Sequence, residues 1–224
     1  MLLLVKRKPA LGIGLYSVPD VARILNLELP FVRRWLNEYW EGRFKRGKKV
    51  HTTWGKGREK TVHFYTLIEF YVFYQLRKQG LSAQSIAKAH EIIADELKNP
   101  FPFATSTILT DGKKILYKIN EDIIINADKS RQLNFSTIIK EFCRQMDFGK
   151  DHLAIRYWPL GKTKNIVVDP HHQLGQPTIK NTNILAETLY RMNTAGETVN
   201  FISSLYDVTD NDVRDSIEFF KKAA

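Results

Sequence analysis

The sequence predicts an α+β protein in three parts: a helix-turn-helix pair with a basic hairpin (residues 1–100), a β-containing middle segment (101–165) and a trihelical unit (166–224). Three observations carry this. Two capped apolar repeats flank a short turn between Tyr16 and Leu36; residues 103–135 alternate in the manner of strands; and the last third holds three further helix-start signals in succession.

The first helix starts near Val18. Ser17 is a helix-capping residue, Pro19 needs no amide partner in a first turn, and Asp20 suits the positive helix end. Val21, Ala22, Ile24 and Leu25 form its apolar stripe, Asn26-Leu27-Glu28-Leu29 breaks it, and Pro30 opens a second helix. In that second helix Phe31, Val32, Trp35 and Leu36 share one face, which leaves Arg33, Arg34, Asn37 and Glu38 on the other. Arginine can donate two hydrogen bonds to guanine and asparagine can pair with adenine in a major groove, so Arg33, Arg34 and Asn37 are candidate DNA-binding residues.

From Gly42 to Lys60 the chain carries eight Lys or Arg against one Glu, a net charge of +7. Such a run cannot be interior. Gly47, Gly55 and Gly57 supply turns, while 50–54 and 61–64 have the β-branched and aromatic content of two short strands, so the segment reads as a hairpin wing. Arg43, Lys45, Arg46, Lys48, Lys49, Lys56, Arg58 and Lys60 would neutralise phosphates and supply sequence-independent, salt-sensitive affinity. Helix, turn, helix and basic hairpin together make a winged helix-turn-helix.

Tyr65 to Gln79 is a helix apolar on more than one face, which must be sandwiched, and its aromatic density suits a subunit contact as well as a core. Ser82 caps a further helix to Leu97, ended by Asn99-Pro100-Phe101-Pro102. YSVPDVARILNLELPFVRRWL, the basic run and FYTLIEFYVFYQLRKQGLSAQSIAKAHEII together resemble the DNA-binding domain of the MerR family, most specifically in YTLIEF…LRKQGLS. The resemblance implies double-stranded DNA binding through Arg33, Arg34 and the wing. It does not extend to the long coiled coil and effector-binding end of that family, so no metal- or drug-sensing role follows from it.

In the middle segment, Thr107–Ile119 reads as a hairpin turning at Asp111-Gly112, Ile123–Ile125 as a strand, and Phe135–Met146 as an amphipathic helix with Cys143 packed at its edge. Ala154–Pro170 reads as a strand pair turning at Gly161-Lys162. Gly161-Lys162-Thr163 lacks the glycine that a phosphate-binding loop needs five residues earlier, where Tyr157 stands, and Gly12-Ile13-Gly14 lacks the third glycine of a dinucleotide fingerprint.

The C-terminal part predicts helices over Ile184–Met192, Thr198–Leu205 and from Thr209 onward, the last with Asp210 and Asp212 in its first turn. The order DP…LGQPTI…TNI…AGET…LYxVTxxxV resembles a small bacterial antitoxin domain of the VapB type, found beside PIN-like ribonuclease toxins. Asn181-Thr182-Asn183-Ile184 replaces that family's usual Gly-Thr-Arg-Ile, and Tyr206-Asp207 its Tyr-Pro. The resemblance implies a toxin partner held by this region or by the middle segment, with Arg214, Phe219, Phe220 and Lys221 of the last helix as candidate toxin-binding residues: its cations would face the acidic metal site of a nuclease, and its aromatics would either dock or close the trihelical core.

Charge is uneven. Residues 1–64 hold 14 Lys+Arg and 5 Asp+Glu, whereas 151–224 hold 8 and 9, out of a chain total of +10. The positive field therefore belongs to the first third. The apolar start Met1–Val5 is too short for a signal peptide, no stretch is long enough to span a membrane, and the single Cys143 fits a reducing cytoplasm. His171-His172 has no third ligand at metal spacing and Asp207, Asp210, Asp212 and Asp215 lack an activated nucleophile, so neither cofactor nor metal nor catalysis is expected. The reading is a cytoplasmic, homodimeric DNA-binding antitoxin that neutralises a PIN-like ribonuclease toxin and represses its own operon. The alternative is a one-component transcription regulator that senses a ligand or protein through its C-terminal half.

Overall fold

The computed structural model describes residues 12–43, 53–55, 57–106 and 142–222 of the chain. Among them it is a mixed α+β structure of helices and small antiparallel sheets. Helix α1 (Val18–Leu25) starts as its sequence requires: Ser17 Oγ accepts from the Asp20 amide at 3.2 Å, and the Asp20 carboxylate accepts from the Ser17 amide at 2.9 Å. It ends at Asn26 in the left-handed region, φ 51.

Helix α2 (Leu29–Trp35) buries Val32 and Trp35 and then widens into a π-helical stretch, Leu36–Arg43. This widening is not legible in the sequence. Within it Leu36 and Trp40 are 2% and 1% exposed, and the Trp40 ring stacks on Phe70 at 4.7 Å.

Strands β1 (Tyr16–Ser17), β2 (Thr53–Trp54) and β3 (Thr61–Val62) form a sheet in the order β1-β3-β2, with Val62 opposite both Tyr16 and Thr53. The strand pair expected at 50–54 and 61–64 is present but shorter at its second strand, because the His63 Nδ1 accepts from the Thr66 amide at 3.1 Å and turns Phe64 into a helix. Strand β1, only two residues long, carries no strand signal of its own in the sequence. Gly55, at φ 73, closes β2 to β3 where an added Cβ would strike the Glu59 carbonyl.

Helix α3 (Phe64–Lys78) is sandwiched as its all-round apolarity demands. One side meets Trp35 and Trp40 through Phe73 and Phe70; the other meets Tyr157 through Tyr71, with ring centroids 5.0 Å apart and the Tyr71 hydroxyl donating to Gln145 at 3.0 Å. Phe70, Tyr71 and Phe73 are thus buried within the chain and not available to a subunit contact, whereas Tyr65 and Tyr74 remain half-buried. Helix α4 (Ala83–Glu96), capped by Ser82, joins it through a buried knot in which His90 Nε2 bonds the Glu69 carboxylate at 2.9 Å and Glu69 also accepts from the Phe103 amide.

The hairpin expected at 107–119, the strand at 123–125 and most of the helix at 135–146 lie outside the described residues. Residues 142–144 are helical, but Met146 opens strand β4 (Met146–Phe148), which pairs with β5 (Ala154–Tyr157). Burial pushes the Cys143 thiol up to about 12, which fits a packing residue. The strand pair expected over Ala154–Pro170 is reduced to one bridge, Tyr157 to Val168, since Pro159 cannot extend a ladder and the Trp158 indole turns aside to donate to Asp147 at 2.9 Å. Strand β6 (Ile166–Val167) pairs instead with β7 (Thr178–Ile179).

Three helices close the chain: α5 (Ala186–Thr194), α6 (Val199–Tyr206, capped by Thr198) and α7 (Asp210–Lys222). Leu189, Ile202 and Val213 meet between them, each fully buried. Asn181, where the resembling family usually has glycine, takes φ 62; Asp207, where it has proline, takes φ 53, which a proline ring forbids. One cluster of buried side chains runs from Tyr16 to Phe220. At its edge the Leu15 amide donates to the Leu174 carbonyl at 2.8 Å, and the Tyr16 ring lies against Gly14 and Gly175, where an added Cβ at Gly175 would overlap the hydroxyl.

Candidate nucleic-acid interface

The exposed face of α2 is built by what its other face must bury. Val32, Trp35 and Leu36 are held at 1%, 4% and 2% exposure by the α3 aromatics, so Arg33, Arg34, Asn37 and Glu38 are turned to solvent. Trp35 is the anchor, with ring centroids 3.8 Å from Phe31 and 4.4 Å from Phe73. Asn37 and Lys60, two of the expected DNA-binding residues, are joined: the Lys60 ammonium donates to Asn37 Oδ1 at 2.6 Å. Lys60 is only 8% exposed, and its bond ties the start of β3 to the end of α2. Its position is that of a brace between the helix face and the sheet. The side chains of Arg43 and Arg58, and residues Lys45, Arg46, Lys48, Lys49 and Lys56, lie outside the described residues.

On α7, Arg214 is exposed, 3.8 Å from Asp210, and Lys221 is exposed. Phe219 and Phe220 are not available as surface side chains. They are 3% and 8% exposed, and Phe220 stacks on Tyr190 at 4.9 Å with the Arg23 guanidinium over its ring at 5.5 Å. The amphipathic pattern of the last helix puts these aromatics on an apolar face; the tertiary structure closes that face against α5 and α1.

The exposed apolar side chains lie elsewhere. Phe201 and Leu205, 49% and 57% exposed, stand four residues apart on α6 and so share a face. The signal is present in Val199-Asn200-Phe201-Ile202-Ser203-Ser204-Leu205-Tyr206: Ile202 fills the core, and Phe201 and Leu205 fall away from it.

The acidic residues at the start of α7 are structural. Asp212 accepts from the Thr209 amide, the Thr209 hydroxyl and the Asn165 side chain at 2.7–2.8 Å, and Asp215 accepts from Lys164 Nζ and the Asn165 amide, each at 2.9 Å. Capping is legible in the sequence, whereas the tie to residues 164–165 is not. Lys164 also meets Glu218 at 2.8 Å, and its bonds to Glu218 and Asp215 raise its proton affinity. His172 bonds Asn183 at 3.0 Å, and the described residues contain no group of three or more His, Cys, Asp or Glu arranged for a metal. No helix among them is long and apolar enough to cross a membrane.

Residues 166–220 match the family described as "Protein of unknown function (DUF433)". That span contains β6, β7 and the three-helix unit. The chain is 25% identical over 175 residues to the putative antitoxin VapB45 of Mycobacterium tuberculosis, an alignment that covers 72% of each protein. Its fold is similar to that of the crystal structure of Rv2018 from Mycobacterium tuberculosis, with a TM-score of 0.73, 20% identity, and coverage of 93% of this chain and all of that one. The likeness to the antitoxin therefore extends well beyond the C-terminal unit.

Proposed function

We propose that this protein is the antitoxin of a toxin-antitoxin pair: it binds and silences a PIN-like ribonuclease toxin in the cytoplasm, and as a homodimer it represses its own operon through the N-terminal helix pair and basic run. The observation that carries the proposal is the alignment with an antitoxin over 72% of both chains. Its role is non-enzymatic, because a stoichiometric inhibitor and repressor works by binding.

DNA is read by Arg33 and Arg34, exposed on a helix that is clamped from behind, while the seven other cations of the basic run, Arg43 to Arg58, hold the phosphates. Asn37 and Lys60 set the helix against the sheet. Arg33→Ala or Arg34→Ala is expected to weaken operator binding by about 1–3 kcal/mol wherever that Arg contacts a base. Lys48→Ala is instead expected to weaken specific and nonspecific DNA alike and to lower the salt slope by about one unit. Gel-shift titrations at several salt concentrations check both, and unchanged binding in all three variants would remove this region from the interface.

The toxin docks on the C-terminal helical unit, with Phe201 and Leu205 of α6 as apolar anchors and Arg214 and Lys221 of α7 as charged contacts, while Phe219 and Phe220 support the unit from its core. Phe201→Asp with Leu205→Asp is expected to reduce toxin affinity at least about 100-fold, since two interface anchors of about 2 kcal/mol each are lost. The experiment is co-expression with the ribonuclease encoded beside the gene, reading co-purification and cell survival. Retained capture by the folded double variant refutes this docking face; failure of the wild-type chain to capture or silence that ribonuclease refutes the antitoxin reading itself.

A further inference from the structure

A cleft of about 230 Å³ opens where α1 and α3 meet the segment after β5 and the end of α7. Its rim carries Arg23, Lys78 and Lys222, and none of the residues lining it is Asp or Glu. Arg23 lies 3.9 Å from Asp20 Oδ1, which offsets part of its charge, and its guanidinium lies over the Phe220 ring at 5.5 Å. The Lys78 ammonium sits over the Tyr74 ring at 5.1 Å, and among the described residues neither Lys78 nor Lys222 meets a carboxylate.

With Arg23 partly offset by Asp20, Lys78 and Lys222 leave the recess net positive, and the low-dielectric walls behind them strengthen its field. An anion seated there neutralises that charge. The walls add direction: Tyr74 and Leu160 are half-buried and offer apolar surface, while Gln75 and Asn26 offer hydrogen bonds. The volume is below the roughly 300–1,000 Å³ of sites that take drug-sized ligands.

We propose that this cleft binds a small molecule bearing an oxyanion group with two or more negative charges, its compact body resting on Tyr74 and Leu160 and its charge held between Arg23, Lys78 and Lys222. The ligand bridges α1 and α3 to α7, so its binding fastens the N-terminal helices to the C-terminal unit. This site is independent of the antitoxin reading and stands or falls without it.

Two probes separate the sources of the anion: citrate supplies carboxylates, and adenosine monophosphate supplies a phosphate on an aromatic body. Each is titrated calorimetrically into the full chain at ionic strength fixed with chloride. Because the basic run at 42–60 also attracts anions, three proteins are compared: the wild type, Lys78→Gln with Lys222→Gln, and Lys48→Gln with Lys49→Gln. The expected result is 1:1 binding of at least one probe with Kd below about 1 mM, weakened about tenfold or more in the first pair and within about twofold of wild type in the second. Acylation footprinting of the wild type gives a second readout free of any folding defect: the bound probe is expected to protect Lys78 and Lys222. No binding of either probe at about 10 mM, loss confined to the Lys48/Lys49 pair, equal affinity in all three proteins, or unchanged labelling of Lys78 and Lys222 each overturns the proposal.

Discussion

Trp35→Ala is expected to destabilise the protein by about 3–5 kcal/mol, a large share of the roughly 5–15 kcal/mol that holds a typical domain. Trp35 is 4% exposed and contacts Phe31, Tyr39, Phe70 and Phe73, with ring centroids between 3.8 and 6.4 Å away. No neighbour can fill its volume, because Phe70 and Phe73 are fixed on α3 and Phe70 is already stacked on Trp40. The same ring holds α2 against α3, so the loss also loosens the helix that carries Arg33 and Arg34 on its exposed face. Urea unfolding gives the stability, and Trp35→Phe is expected to recover about half of it, since an aromatic wall is restored without the full volume. A loss below about 1 kcal/mol in the alanine variant would show that α2 is held by something other than this cluster.

His63 makes the fold acid-sensitive. It is 6% exposed, its Nδ1 accepts the Thr66 amide at the start of α3, and burial lowers its pKa from 6.5 to about 4. Above pH 6.5 neither folded nor unfolded His63 carries the proton, and its contribution to stability is complete. Between pH 6.5 and about 4 the unfolded chain takes up a proton that the folded one refuses, so stability falls as the solution is acidified. The folded form protonates below that range and the decline ends. Across the window the loss is on the order of 3 kcal/mol, because withholding one proton costs about 1.4 kcal/mol for each pH step. Asparagine retains a capping acceptor and cannot titrate, so His63→Asn is expected to remove this part of the pH dependence. Urea melts of both proteins at pH 7, 5.5 and 4.5 measure it; parallel curves would assign the proton uptake to another group.

Residues 151–224 pack against the N-terminal helices. Removing 151–224 strips Tyr157 from Tyr71, Phe220 from Arg23 and the Leu174 carbonyl from the Leu15 amide, so a loss of DNA binding in such a fragment would report unfolding as readily as function. Point substitutions on the exposed faces of α2 and α6 leave those contacts intact. They are the cleaner tests of what each surface binds.

The sequence by itself determined four of the helix starts, because capping is local chemistry: Ser17, Ser82, Thr198 and Thr209 each bond an amide three residues on. It also determined which face of α2 is buried, since the 3.6-residue period allots Val32 and Trp35 to one side and Arg33 and Arg34 to the other, and it carried the likeness to an antitoxin in its last third. What pairs with what was decided only by the tertiary structure. Val168 bridges Tyr157 while β6 pairs with β7, the aromatics of α3 serve the chain's own core, Phe219 and Phe220 turn inward, and Lys60 leaves the basic run to brace Asn37. The physical reason is that burial and charge pairing depend on residues far apart in sequence: a helix period says that a face is apolar, but only the packed neighbours say whether that face is covered by the chain itself or left exposed, like Phe201 and Leu205.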